Sequence, residues 1–165
     1  MDDDPTGCQS VSGIPLLTRW DPDTLTAAAR RAAPVTFVLT NSRSLDGAEA
    51  SRVNREVGRS LAAVADRLGL SLRLISRSDS TLRGHYPAEV NALAEGAGIA
   101  PDGVLICPCF FEAGRYTAGG IHWVLSGGEL IPARETEFAR DETFGHSELT
   151  LAAWADARSG GRAPA

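Results

Sequence analysis

Apolar residues recur along this chain in two rhythms, and their alternation lays out the fold. Short continuous runs form the first rhythm: Ile14 to Thr18, Val35 to Thr40, Leu72 to Ile75 and Val104 to Cys107. Their length and β-branched content read as strands, buried and parallel where the run is richest. Between them the apolar spacing lengthens to three and four. Ala50, Val53, Val57, Leu61, Val64 and Leu68 make the clearest stripe, the core-facing side of a long helix. Asp46 with Glu49 supplies a capping box at its start, and Gly69 stands where a left-handed residue ends a helix. A shorter stripe, Leu25, Ala28, Ala29 and Ala32, follows the Asp21-Pro22-Asp23 start signal and stops at Pro34. Pro87 to Ala97 reads as a third helix, opened by proline in its first turn. Strands alternating with helices predict an α/β fold, a three-layer sandwich around a mainly parallel sheet.

After Pro108 the rhythm changes and glycines cluster. Ile121 to Leu125 and Glu129 to Ile131 flank Ser126-Gly127-Gly128, which predicts a late β-hairpin insertion. Ser147 is placed to cap a last helix containing Leu149, Leu151 and Trp154. Residues 159–165, "SGGRAPA", read as a disordered tail. That leaves one domain over residues 1–158, long enough for a proper core.

Bulk composition narrows the function. The chain has 165 residues, 43% hydrophobic and 22% charged, as ordinary globular proteins do. A net charge of −5 argues against duplex nucleic acid as a partner. No apolar run approaches the ~20 residues of a membrane span, and the acidic start lacks the apolar stretch of a signal peptide. Three cysteines without framework spacing fit a reducing, cytoplasmic setting. All 16 basic residues are arginine. Without lysine there is no Walker-type phosphate loop, and no G-x-G-x-x-G opens a helix. Nothing in the chain recognisably binds a nucleotide.

The chemistry concentrates between the third strand and the third helix, from Ser76 to Gly84. In open α/β sheets this is where ligands bind. Arg77 and Arg83 can each grip a carboxylate or phosphate with a two-pronged fork, and Asp79 can accept from a hydroxyl. The pattern suits a ligand that is anionic at one end and a polyol elsewhere. The plainer alternative is a solvated loop braced by an Arg–Asp pair. Asp2, Asp3 and Asp4 form the sharpest acidic cluster. One could serve as general base or help hold Mg²⁺; the alternative is a solvated, frayed terminus. Asp2-x-Asp4-x-Thr6 also suggests the nucleophile motif of haloacid-dehalogenase-type phosphatases, but the upstream strand, the later lysine and the downstream acidic pair are missing. Arg43, at the end of a strand, is placed on the same rim as Arg77 and Arg83, or is a surface arginine. Arg115 carries the same pair of readings, with Glu112 as its possible partner. Cys107-Pro108-Cys109 is too closely spaced for zinc or a thioredoxin-like site and reads as buried structural thiols. His85, His122 and His146 share no metal spacing. His85 adjoins the loop and either touches substrate or is a helix-cap or surface histidine. Tyr86, Tyr116, Trp123 and Trp154 read as packing.

The stretch SRSDSTLRGHYPAEV at 76–90 resembles the signature of the four-carbon acid sugar kinase family, in its N-terminal, substrate-binding domain. DDDPTG at 2–7, LTNSRS at 39–44, CPCFFEAGRYTAGGIHWV at 107–124 and ETEFARD at 135–141 agree in order. The resemblance implies an ATP- and Mg²⁺-dependent kinase that phosphorylates a hydroxyl of threonate, erythronate or a keto derivative. It implies Asp3 and Asp4 as catalytic residues. Arg43, Arg77, Asp79, Ser80, Arg83, Gly84 and Arg115 would bind the substrate, and no residue here would hold a metal. In the family an apolar strand runs into DDDPTG, so an N-terminal strand is expected to be missing. The family's nucleotide site lies mostly in a C-terminal domain, so this chain is expected to be the acceptor half. It would be inactive alone and would need that domain or a separately encoded partner. The alternative is a stand-alone sugar-acid-binding or regulatory module. Where the family usually carries a small apolar residue this chain has Cys109, and where it usually carries threonine it has Cys8.

Overall fold

The computed structural model describes residues 1–31 and 33–161. Ala32 of the first helical stripe and residues 162–165 of the expected tail lie outside them. The fold is mixed α/β, with a small parallel sheet and an antiparallel three-stranded sheet. The chain divides into two compact units, Met1–Ser78 with Ala88–Asp102, and Asp79–Pro87 with Gly103–Ala165.

In the first unit, β1 (Leu16–Leu17) pairs in parallel with β2 (Phe37–Val38). Asp2 then bridges in parallel to Leu39 on one side and to Arg77 on the other. The amide of Asp2 donates to the Val38 carbonyl and that of Thr40 to the Asp2 carbonyl, both at 2.9 Å. The Arg77 amide donates to the Met1 carbonyl at 2.9 Å and the Asp3 amide to the Arg77 carbonyl at 3.3 Å. Met1–Asp3 therefore occupies the sheet position between the end of β2 and Arg77. The acidic start is pinned by backbone on both sides rather than frayed.

The remaining expected strands are shorter than the apolar runs suggest. Leu72–Ile75 and Val104–Cys107 form no ladder, and Ile75 and Leu105 are 69% and 91% exposed. A strand needs a partner of matching length. Met1–Asp3 reaches only the Ile75–Arg77 end of the third run, and 104–107 has no paired neighbour among the described residues.

The helices follow the sequence closely. α1 (Pro22–Ala29) starts at Asp21, whose carboxylate accepts from the Thr24 amide at 3.0 Å. α2 (Gly47–Leu68) starts at Asp46, which accepts from the Glu49 amide at 2.9 Å, and ends at Gly69 with φ +64°. Half of the capping box forms: the Glu49 carboxylate turns to Arg52, at 2.6 and 2.9 Å, instead of back to the cap. Leu25, Val38, Val53, Val57 and Val64 make the core of this unit, with Met1, Leu17, Leu61 and Leu68 packed around them. α3 (Ala88–Gly96) lies against α2 where each helix carries a glycine. A Cβ on Gly58 would strike the Leu93 carbonyl, and one on Gly96 the Arg55 carbonyl.

The second unit is a meander of β3 (Arg115–Ala118), β4 (Ile121–Ser126) and β5 (Glu129–Pro132). The expected hairpin is present, and β3 adds a strand the apolar pattern did not mark. Both turns are Gly-Gly pairs with positive φ, at 119–120 and 127–128, as tight two-residue hairpin turns favour. α4 (Leu151–Ser159) is capped by Thr150, whose hydroxyl accepts from the Ala153 amide at 3.2 Å. Ser147 does not cap it, because its amide and hydroxyl are engaged by the Glu148 carboxylate. The helix runs on through Ser159 to Gly160, so helix replaces the first residue of the expected tail. Leu82, Val124, Ala133, Trp154 and Ala155 form the core, with Tyr86 stacked on Trp154 at 5.1 Å. No helix among the described residues is long and apolar enough to cross a membrane.

The α2–α3 contact makes a quantitative demand. Alanine at Gly96 improves helix propensity by about 1 kcal/mol, but its methyl meets rigid backbone, and overpacking costs about 1–3 kcal/mol. Gly96→Val adds two further methyls, so the clash dominates. We expect Gly96→Val to lower the melting temperature by roughly 3–10 °C. Gly103→Ala, where a methyl would meet nothing within 4 Å, should leave it unchanged. Thermal denaturation followed by circular dichroism reads both.

Candidate functional site

The acidic cluster of the first unit is built by the pairing just described. Strand position buries Asp2 completely and leaves Asp3 only 3% exposed. Each carboxylate meets a basic or hydroxyl group. Arg77 Nη1 lies 3.0 Å from Asp2 Oδ1. Arg43 Nη2 lies 2.7 Å from Asp4 Oδ2, and its Nε 3.6 Å from Asp3 Oδ2. The Ser78 hydroxyl donates to Asp3 Oδ2 at 3.0 Å, and the Thr6 amide to Asp4 Oδ1 at 2.7 Å. Gly7 lets the chain pass over this pair; a Cβ there would collide with the Arg77 guanidinium and the Asp2 carboxylate.

Arg43 reaches the cluster through a local turn. Asn41 takes the left-handed conformation at φ +52°, which asparagine tolerates better than most residues. The chain then turns through Ser42–Ser44, and the Arg43 amide donates to the Asp3 carbonyl at 3.1 Å. Ser42 points inward. Its hydroxyl lies 2.9 Å from that of Thr40 and donates to the buried carboxylate of Glu89 on α3, which also accepts from Asn54 Nδ2 of α2 at 2.9 Å.

Among the described residues, Asp2 Oδ2 and Asp3 Oδ1 are buried without a hydrogen-bond partner. Burial pushes the Asp3 carboxyl up to about 7. The Arg43 charge and the Ser78 hydroxyl pull it back, and Glu89 and Asp2 add a smaller upward push. A carboxyl titrating near neutrality, with one oxygen uncommitted, can accept a proton from a ligand hydroxyl.

The second unit carries the loop from Asp79 to Gly84. Asp79 organises it: one carboxylate oxygen accepts from the Thr81 amide at 3.2 Å, from the Thr81 hydroxyl and from Arg83 Nε at 2.8 Å. The Asp79 amide donates to the Arg83 carbonyl at 3.3 Å and closes the loop. Leu82 sits in the core at φ +69°, an unusual conformation for leucine, held by its packing. His122 of β4 holds the loop from below, with Nε2 2.6 Å from the Ser80 carbonyl and Nδ1 2.9 Å from the Thr117 hydroxyl. Burial keeps this imidazole below its ordinary range, so the neutral form is favoured at pH 7. Arg83 and Arg115 both lie over the Phe138 ring, their guanidinium carbons 5.0 and 5.4 Å from its centroid. Arg83 also approaches Asp141, whose carboxylate is held below its usual range chiefly by the Phe144 and Thr143 amides.

The sequence-assigned residues thus fall into two groups. Asp3, Asp4, Arg43 and Arg77 gather in the first unit. Asp79, Ser80, Arg83, Gly84 and Arg115 belong to the second, with Gly84 at φ +144°, where a side chain is disfavoured. Sequence reasoning missed Glu89, Ser42, Asn54, His122, Phe138 and Asp141. Phe138 and Asp141 lay inside the recognised ETEFARD stretch, which was the available signal. Arg115 donates to the Ala113 carbonyl, not to Glu112. His85 packs edge-on against Phe144 at 4.9 Å. Cys107 and Cys109, expected to be buried, are exposed, because the run carrying them has no ladder partner to cover it. No three carboxylate, imidazole or thiol groups gather as a metal-ligand set among the described residues.

The family described as a sugar-binding N-terminal domain matches residues 1–165. A D-threonate kinase of Bordetella bronchiseptica is 38% identical over 115 residues, covering 68% of this chain and 25% of that protein. A D-threonate kinase of Cupriavidus necator is 48% identical over 56 residues, covering 34% of this chain and 12% of that one. A D-erythronate kinase of Heliobacterium modesticaldum is 35% identical over 108 residues, covering 65% of this chain and 22% of that one. The chain therefore spans at most a quarter of the length of these curated relatives. Among solved structures, a domain of unknown function from Bordetella bronchiseptica, crystallised with bound citrate as a domain-swapped dimer, matches in two crystal forms. The TM-scores are 0.68 and 0.67, at 29% and 28% identity, over 93% of this chain and 38% and 39% of that one. With the family matched from end to end, and threonate and erythronate kinases among its relatives, the chain belongs to the four-carbon acid sugar kinase family, as its sugar-binding N-terminal domain.

Proposed function

We propose that this chain binds the acceptor of a phosphoryl transfer, a four-carbon sugar acid such as threonate, erythronate or a keto derivative, and that Asp3 takes the proton from the hydroxyl that is phosphorylated. The observation that supports this reading most is the Asp3 carboxyl, buried, raised to about 7 and holding one oxygen free of hydrogen bonds. A base near the working pH combines a useful ionised fraction with enough basicity to draw off a hydroxyl proton. Ser78 orients it and Arg43 limits its rise, so that it still ionises at neutrality. Asp4, more open and paired with Arg43, suits a hydrogen bond from a second hydroxyl. Arg77 offers positive charge in the same unit.

Related kinases imply ATP and Mg²⁺ in the full-length family. The chain has no lysine, and no three carboxylate, imidazole or thiol groups gather as a metal-ligand set among the described residues, so this reading assigns neither ATP nor Mg²⁺ to them. In this reading the phosphoryl donor is bound elsewhere, by a further domain or a separately encoded half. The chain alone binds acceptor and transfers nothing.

A panel of tetronates tests the reading. Threonate or erythronate should raise the melting temperature of the chain, and Arg77→Ala, in the same unit as Asp3, should weaken that effect, because a carboxylate that loses a charged hydrogen-bond partner loses about 2 kcal/mol. Full stabilisation retained in that variant would remove Arg77 from the carboxylate site. Titration with ATP alone should give no heat in the micromolar range of affinity.

Asp3 is tested by pH. Folding raises its carboxyl from 3.8 to about 7, so the folded chain holds this proton more tightly than the unfolded chain does. The resulting stability is present in full below about pH 4 and is lost as pH climbs through about 7. Asp3→Asn removes the titration. Its melting temperature relative to the parent should therefore rise by a few degrees between about pH 4.5 and pH 8 and stay level above that. A difference that does not change with pH would show that Asp3 is not the proton acceptor.

A further inference from the structure

The turn that carries Arg43 is fastened from inside the fold by a residue that has no task in the acceptor site described above. Glu89 stands in the first turn of α3 and is 4% exposed. Its Oε1 accepts from the Ser42 hydroxyl and from Asn54 Nδ2, the latter at 2.9 Å. Ser42 directly precedes Arg43. We propose that Glu89 is a positioning residue of the acceptor site: by holding Ser42 it fixes where the Arg43 guanidinium stands between Asp3 and Asp4. This role deepens the reading of Asp3 as proton acceptor and rests on it.

Helix packing brings the parts together. Glu89, Leu93 and Gly96 follow one another at helical spacing along α3, as Ala50, Asn54 and Gly58 do along α2. The two glycines let the helix backbones approach closely, since a Cβ on either would strike a carbonyl of the other helix. Asn54 spans the remaining gap. One of its amide protons goes to the Ala50 carbonyl at 3.0 Å, inside α2, and the other to Glu89. Asn54 and Ser42 are both buried, so water does not compete for the Glu89 carboxylate. A buried carboxylate persists only where such donors meet it.

From Ser42 the hold passes to the aspartates across a single peptide. The Arg43 amide donates to the Asp3 carbonyl at 3.1 Å, and the guanidinium stands 2.7 Å from Asp4 and 3.6 Å from Asp3. The Ser42 hydroxyl also lies 2.9 Å from that of Thr40, which bonds the Asp2 carbonyl at 2.9 Å. Without Glu89 the Asn54 amide keeps a buried proton with no acceptor, and Ser42 loses its tie to both helices. The turn is then free to shift, and the Arg43 guanidinium shifts with it. What the hold requires is an acceptor oxygen at the length of a glutamate side chain; the charge adds only a smaller push on Asp3. All these residues lie in the first unit.

The test measures threonate and erythronate affinity by calorimetry on the whole chain, at a temperature where each variant is folded by circular dichroism. Glu89→Ala should weaken binding about tenfold or more, since a small misplacement of site groups by a remote change costs at least that much. Glu89→Gln keeps an acceptor oxygen at the same reach and should bind close to the parent. Glu89→Asp keeps the charge but is one methylene short, and should behave like Glu89→Ala. Ser42→Ala breaks the same link at its other end, so it should lose a similar factor and add nothing to Glu89→Ala. A role confined to stability would lower the melting temperature of Glu89→Ala and leave the affinity of the folded chain unchanged. That result would overturn the proposal, as would binding kept by Glu89→Asp and lost by Glu89→Gln, or losses in Glu89→Ala and Ser42→Ala that add. Should Glu89→Ala fail to fold, Ser42→Ala and the comparison of Glu89→Gln with Glu89→Asp decide by the same outcomes. If the parent binds neither tetronate, the acceptor reading fails by itself, and hydrogen exchange decides the hold. The Arg43 amide should then exchange faster in Glu89→Ala and Ser42→Ala than in the parent, and at the parental rate in Glu89→Gln. Equal rates in all four chains would overturn it.

Discussion

Three residues of backbone hold the acidic site. Met1–Asp3 pairs in parallel with the end of β2 on one side and with Arg77 on the other, and the aspartates have no freedom to leave. This constraint sets the electrostatics. Carboxylates fixed inside a sheet lose their water, and unpaired buried charge is expensive. Arg77 compensates Asp2 at 3.0 Å, but Arg43 divides itself between Asp3 and Asp4 and stands closer to Asp4. Asp3 is left with the weaker share, and its carboxyl responds by holding its proton up to about pH 7. A direct Arg43–Asp3 bond would give a permanently ionised, strongly paired group, poor as a base. Uneven sharing of one guanidinium is what leaves Asp3 near neutrality.

Glu89 pushes in the same direction from the far side. It is buried on α3, yet its carboxylate is bonded by Ser42 from the turn and Asn54 from α2. The Ser42 hydroxyl adjoins that of Thr40, which reaches the Asp2 carbonyl at 2.9 Å. A chain of hydrogen bonds thus runs from two helices to the strand that carries the aspartates. The close passage of α2 and α3 at Gly58 and Gly96 lets Asn54 and Glu89 meet, so helix packing also reaches the site.

Local signals were legible and long-range ones were not. α2 was readable because its stripe, its Asp46 cap and its terminal Gly69 all act within a few residues. The Gly127-Gly128 hairpin was readable for the same reason. The runs Leu72–Ile75 and Val104–Cys107 misled, because apolar content shows what could be buried and not whether a partner exists to pair with it. The same failure exposed Cys107 and Cys109. Asp3 and Asp4 were named from a motif, but position alone suggested a loose terminus. The sheet contacts that bury Asp3 come from residues 75 or so further along the chain, which no local pattern reports. Ser42 and Glu89 are separated by 47 residues and His122 and Ser80 by 42, and each looked like an ordinary polar residue until a partner was seen.

His122 shows how such a residue can join two distant segments. Its ring faces two groups with opposite needs. The Ser80 carbonyl can only accept, so Nε2 must carry the proton. Burial favours the neutral ring, so Nδ1 is then an acceptor and needs a donor. The Thr117 hydroxyl is that donor, but it has one proton and two claimants, His122 Nδ1 at 2.9 Å and the Pro108 carbonyl at 2.8 Å. Neither contact is satisfied in full while both persist. Phenylalanine would fill the same space and leave the Ser80 carbonyl without its donor. The imidazole suits this place because it gives at one end and takes at the other, which ties the loop from Asp79 to Gly84 to Thr117 of β3.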